Sequence, residues 1–135
     1  ITQMGYEHYS PGLGLLAEPL ASRYPGVPLR VTEAGIATTT GRRRAESIVR
    51  QLVGLHAAVE AGQPVDGYIH WSLTDNFEWA EGFRPRFGLW SVDYDTYART
   101  ATDGATVLGQ IAAENGIRRS VYEAYGVGEH LSPGE

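Results

Sequence analysis

Apolar residues recur in steps of three and four between residues 42 and 61. Ala45, Ile48, Leu52, Leu55 and Val59 lay one stripe along a helix. Glu46 and Arg50 stand one turn apart and belong on its outer face. Arg42-Arg43-Arg44 reads as its solvated first turn, and Gly62-Gln63-Pro64 stops it. Leu29-Arg30-Val31-Thr32 precedes the helix as a short strand, followed by Glu33, Gly35 and a Thr-rich loop. Tyr68-Ile69-His70-Trp71-Ser72-Leu73 follows as a second strand, aromatic and nearly continuous, as in a strand covered on both faces. Strand, helix, strand predicts a parallel pair with a right-handed crossover.

Further elements flank this unit. Ser10 as N-cap and Pro11 at the first helical position predict a helix to about Tyr24, weakened by Gly12, Gly14 and Pro19. A third helix is predicted over residues 103–114, ended by Asn115-Gly116. Residues 74–102 connect the second strand to it. Connections longer than ~12–15 residues are usually functional or disordered. Phe77, Trp79, Phe83, Phe87 and Trp90 argue for order here, and residues 87–92 predict a short β-hairpin. Residues 117–135 form a weakly patterned tail. Two parallel strands leave both edges open and one face bare, so they do not make a stable sheet alone. The elements therefore predict an α/β sheet or barrel of which this chain supplies a small arc.

Composition narrows the function. The chain is 42% hydrophobic and rich in aromatics, unlike a disordered tail. It has no cysteine, which excludes a disulfide scaffold and thiolate metal sites. No apolar run approaches the ~18–20 residues that cross a bilayer, so no membrane role is expected. A net charge of −5 argues against nucleic-acid binding. All basic residues are Arg, for which there is no functional account. The chain begins Ile-Thr-Gln, which reads as a start inside a fold or as a cleaved product. No basic, apolar leader precedes Ile1, so no signal peptide is expected and cytoplasmic residence is.

In a parallel α/β barrel the functional face lies at the C-terminal ends of the strands. Glu33 ends the first strand there, and Thr74 onward leaves the second. A carboxylate on a rigid strand end suits glycoside hydrolysis, which needs one fixed beside the anomeric carbon. It equally fits an exposed Glu capping a loop. Trp71 and Trp79 flank Asp75, Asn76 and Glu78. Indoles stack on the apolar face of a pyranose while carboxylates grip its hydroxyls; a buried aromatic cluster with a capping Asp fits as well. His8, His56, His70 and His130 lack metal-ligand spacing and read as structural, so no metal or cofactor is expected. Either Arg84 or Arg86, which flank Pro85, is expected to pair with Asp93 or Asp95. Gly12 and Gly14 do not make a phosphate loop.

"RVTEAGIAT" and "GYIHWSLTDNFEWAEGFRPRFGLWSVDYDT" resemble the C-terminal part of family 1 glycoside hydrolases, the β-glucosidase family. "MGYEHYSPGLGLL" and "RTATDGATVLGQIAAENG" fit the same region. The resemblance implies the C-terminal segment, about the last two βα units, of a (β/α)8 TIM barrel over residues 1–116, with residues 117–135 as a tail. It implies a retaining β-glycosidase acting on a β-glucoside or related saccharide by double displacement. Glu33 matches the nucleophile, Trp71 the platform beneath the sugar, and Glu78 the carboxylate on the 4- and 6-hydroxyls. Trp79 matches the indole at the 3-hydroxyl and Phe87 an aromatic of the pocket wall. A cis Trp71-Ser72 peptide is implied too. The family's Asn after the nucleophile is Ala34 here, and the acid/base Glu of the "NEP" motif is absent. The missing N-terminal part of the barrel is therefore the expected partner. The alternative is a non-catalytic fragment or a sugar-binding or assembly module.

Overall fold

Every residue except Glu129, Gly134 and Glu135 is described by the structure, a computed structural model. Those three belong to the predicted tail and lie outside the described residues. The chain enters helix α1 (Gly12–Arg23) at Pro11, which takes the N-cap position. Ser10 does not cap the helix; its hydroxyl lies 3.2 Å from His8 Nε2. Strand β1 (Leu29–Ala34), helix α2 (Gly41–Glu60) and strand β2 (Val65–His70) follow. β1 and β2 pair in parallel, as the strand-helix-strand pattern predicts.

β2 starts and stops three residues before the aromatic run that predicts it. Past His70 the chain leaves the sheet, and three of the backbone groups of residues 72 and 73 bond to the segment around residues 87–90. Ser72 N–H donates to Phe87 O at 3.3 Å, Leu89 N–H to Ser72 O at 2.8 Å, and Trp90 N–H to Leu73 O at 3.0 Å. The Trp71-Ser72 peptide is cis. The hairpin also lies elsewhere than predicted. β3 (Trp90–Val92) pairs antiparallel with β4 (Arg99–Ala101). Asp93 sets the turn between them, its Oδ1 accepting from Asp95 N–H at 2.9 Å and Thr96 N–H at 3.2 Å. Helix α3 (Asp103–Glu114) keeps its predicted bounds, with Thr102 Oγ1 accepting from Ala105 N–H and Asn115 closing it in the left-handed conformation.

α2 is the hub of the packing: α1, α3 and the tail surround it. The tail forms a helical turn, α4 (Arg119–Val121), and a π-helical turn (Tyr122–Gly126). Val121 joins Ala45, Val49 and Val107 in the core. This cover overturns the expected polar face of α2. Glu46 is buried, accepting from Arg42 Nε at 3.0 Å and Ser132 N–H at 2.6 Å. Arg50 donates to Tyr125 O at 3.2 Å and Val127 O at 2.7 Å. Arg43 and Arg44 are buried rather than solvated. Val59, placed inward by its spacing, is exposed, whereas Ala58 beside it is buried.

Candidate active site

Burial along β1 alternates from Leu29 to Thr32 and then breaks. Leu29, Val31 and Ala34 are partly covered, whereas Arg30, Thr32 and Glu33 are exposed. Strict alternation would turn Glu33 to the same side as Val31. The register explains the break: Val31 pairs with Tyr68 and Ala34 with His70, so β1 carries one extra residue between them. A bulge of this kind re-aims a side chain. It sets Glu33 beside Thr32 on the open side, at the C-terminal end of the strand. Arg30 lies on the same open side and grips Asp66 at 3.0 and 2.8 Å.

The end of β1 is joined to the aromatic connection. Trp71 N–H donates to Ala34 O at 2.9 Å, and Ser72 N–H to Phe87 O. A Cβ on Gly35 would lie 1.9 Å from the Trp71 carbonyl oxygen and 3.5 Å from the Phe87 ring, so only glycine allows this approach. Glu33, Trp71 and Phe87 therefore lie within one or two residues of a shared junction. Glu78 and Trp79 sit further along the loop. Glu78 N–H donates to Gly82 O at 2.7 Å, and Glu81 N–H returns to Glu78 O at 2.9 Å. This turn holds Trp79 at φ 45, a left-handed conformation uncommon for a bulky residue, which Tyr97 also adopts at φ 58 in the turn between β3 and β4. Trp79 is 80% exposed and Trp71 is exposed as well, leaving two indoles free to take a partner. Phe77 packs on Phe83 at 5.3 Å and Phe83 on Tyr94 at 4.5 Å, which stiffens the loop behind them.

Glu33 borders a groove of about 270 Å³ between β1 and the leucines of α1, and that groove does not include Trp71, Glu78, Trp79 or Phe87. Two strands supply no opposite wall to close a sugar pocket around all five. Among the described residues no group of His, Asp and Glu is placed to hold a metal ion, and no helix is long and apolar enough to cross a membrane.

The predicted pairing of Arg84 or Arg86 with Asp93 or Asp95 is incorrect. Arg84 pairs with Glu81, and Arg86 Nη1 reaches Asp75 Oδ2 at 3.1 Å. Asp93 serves its own turn instead. Asp75 is buried and also accepts from Gly88 N–H at 2.9 Å and Val92 N–H at 3.1 Å. Spacing along the chain does not reveal this pairing, because the loop doubles back on itself. An Arg flanked by Pro85 and Phe87 in an aromatic loop is the one signal that such a partner exists.

The parallel β1–β2 pair thus carries an exposed carboxylate, Glu33, at the end of β1 and two exposed indoles in the connection that leaves β2. The family model described as glycosyl hydrolase family 1 matches residues 1–117, and the chain belongs to that family. It is 39% identical over 125 residues to a β-galactosidase of Pyrococcus woesei, covering 91% of this chain and 24% of that protein. Its fold matches the β-glycosidase from Pyrococcus horikoshii with a TM-score of 0.88 and 44% identity, covering 95% of this chain and 30% of that one. It matches the β-glucosidase from Thermotoga maritima in complex with glucoimidazole with a TM-score of 0.82 and 30% identity, covering 87% and 29%. The chain thus spans about a quarter of the length of the curated relative it matches.

Proposed function

We propose that the chain is the C-terminal arc, about the last two βα units, of a (β/α)8 barrel, with residues 1–116 in the barrel and 117–135 as its tail. In this reading Glu33 is the nucleophile of a retaining β-glycosidase. Trp71, Glu78, Trp79 and Phe87 hold the terminal β-D-glucosyl or related residue. The observation that carries it is the β1 bulge, which turns Glu33 to the open side of the sheet one residue before the carbonyl that receives Trp71 N–H.

Ionised Glu33 attacks the anomeric carbon and forms a glycosyl-enzyme while a second carboxyl protonates the departing oxygen. The second group then deprotonates water, which releases the sugar with its configuration retained. Retention requires the two carboxyls ~5–5.5 Å apart. Asp75 is committed to three donors and Glu81 to Arg84. The acid/base therefore comes from the part of the barrel outside this chain, and that part is the chain's partner. The indole of Trp71 stacks on the apolar sugar face, that of Trp79 meets the 3-hydroxyl, and Glu78 accepts from the 4- and 6-hydroxyls. A carboxylate facing the 6-position repels a 6-phosphate, which favours unphosphorylated sugars.

An aryl β-D-glucoside assay tests the reading. The chain alone gives no turnover. Fused in place of the matching quarter of the P. woesei relative, it gives turnover that Glu33→Gln abolishes. Turnover that survives Glu33→Gln overturns the nucleophile assignment, and turnover by the chain alone overturns the shared site. A second reading, a non-catalytic assembly module, draws on the open edges of the β1–β2 pair. A lone chain that elutes as a defined oligomer on gel filtration favours it.

A further inference from the structure

We infer that Asp75, Arg86 and Arg44 form a positioning brace that locks the Glu33 end of β1 to the loop carrying Glu78 and Trp79. The inference rests on the glycosidase reading for its purpose, but its geometry stands independently. The Asp75 side chain is 1% exposed, and it collects Gly88 N–H, Val92 N–H and Arg86 Nη1. Arg86 Nη1 donates also to Val92 O at 3.0 Å, and its guanidinium lies over the Tyr94 ring at 5.0 Å. One loop strand and the hairpin are thereby tied at a single carboxylate.

The backbone of the same arginine reaches the other stretch. Arg86 O accepts from Thr38 N–H at 2.9 Å and from Arg44 Nη2 at 2.7 Å. Arg44 Nη2 donates as well to Thr38 O. Thr38 closes the short segment that leads from Glu33 through Gly35 into α2, and Arg44 is buried in the first turns of that helix. Arg86 N–H is held by Gln3 Oε1 at 2.9 Å. Arg86 therefore faces the glycone loop with its side chain and the nucleophile segment with its main chain.

The physical reason for such a brace is the length of the loop. A connection of this size has little to hold its tip unless its interior is pinned. Buried charge-assisted hydrogen bonds are strong and directional, and a buried carboxylate left without its donors is costly, so the arrangement has one favourable geometry. Side chains that contact substrate need a supporting layer that fixes them to a fraction of an ångström. None of the three residues needs to touch the sugar; each acts through the segments it joins.

The test is nuclear magnetic resonance of the ¹⁵N-labelled full chain. Asp75→Asn is expected to shift the amide resonances of Glu33, Gly35 and Thr38 together with those of Glu78 and Trp79. In an Arg86→Gln background the same substitution leaves the Glu33–Thr38 resonances unmoved, because the link is already cut. Asp93→Asn, in the hairpin turn, destabilises the loop without moving the Glu33 segment. Asp75→Asn shifts confined to residues 75–92 overturn the inference. Should the variants unfold, hydrogen exchange of the unaltered chain decides. Thr38, Gly88 and Val92 amides should exchange as one cooperative unit, and rates differing more than about tenfold overturn the brace. In the fused enzyme, Asp75→Asn should lower kcat about tenfold with KM held within about threefold, since the nucleophile moves relative to a loop that still grips sugar. An unchanged kcat overturns the positioning role. The spectra need no turnover, so a failure of the Glu33 assignment leaves the brace standing, and uncoupled resonances remove the brace alone.

Discussion

Acid should weaken this fold through two partly buried histidines, His8 and His70, and His70 permits a quantitative test. Its Nδ1 lies 3.0 Å from the Tyr68 hydroxyl, and its Nε2 is buried without a hydrogen-bond partner among the described residues. Burial, reinforced by the nearby Arg44 charge, lowers its pKa from 6.5 to about 4. His8, bonded to Ser47 and Ser10, is lowered to about 4 in the same way, by burial and then by Arg43. Between these values the unfolded chain binds a proton that the folded chain refuses. Stability is therefore full above pH 6.5, falls as the pH drops from there, and levels off below about 4. At about 1.4 kcal/mol per pH unit, His70 alone removes about 3 kcal/mol across that window. Domains of ordinary size have about 5–15 kcal/mol in all, so the loss is large. Urea unfolding followed by tryptophan fluorescence between pH 7.5 and 4 measures it. The comparison is His70→Asn, whose side-chain amide keeps a partner for Tyr68 and does not titrate. Carboxylates titrate alike in both proteins and cancel. The stability advantage of the parent chain over the variant should shrink by about 3 kcal/mol as the pH falls. A difference that stays constant over the whole range refutes the reasoning, because His70 would then be solvated enough to take its proton in the fold.

Two other substitutions test the loop. Gly88→Ala places a Cβ 2.3 Å from Asp75 N and 2.4 Å from Trp90 O, both backbone atoms that have no rotamer to yield, so thermal unfolding should shift by the equivalent of about 3 kcal/mol or more. Glu78→Ser in the fused enzyme should raise KM for an unphosphorylated aryl glucoside and relax the exclusion of its 6-phosphate; unchanged kinetics on both substrates would remove Glu78 from the glycone site.

The chain itself was sufficient to specify α2, α3, the parallel pairing and the placing of Glu33 at the end of the first strand. Each depends on local chemistry: a helical period, the Thr102 cap, Asn115 in a left-handed turn, a strand-helix-strand order that permits one pairing sense. The family resemblance supplied Glu33 as the proposed nucleophile and Trp71, Glu78, Trp79 and Phe87 as the proposed glycone residues, because the motif's residue types and spacing recur as a unit. The tertiary structure alone decided the β1 bulge, which reverses the side to which Glu33 points, and a one-residue slip in pairing has no signature in the composition of a single strand. It alone decided that Glu46, Arg43 and Arg44 are buried. A helix face is polar or apolar in sequence, but whether water or a tail covers it depends on segments distant along the chain. Asp75 and Arg86 are the clearest instance: their pairing exists only because a long loop folds back on itself, and the contact that orders the loop is made by residues that no periodicity brings together.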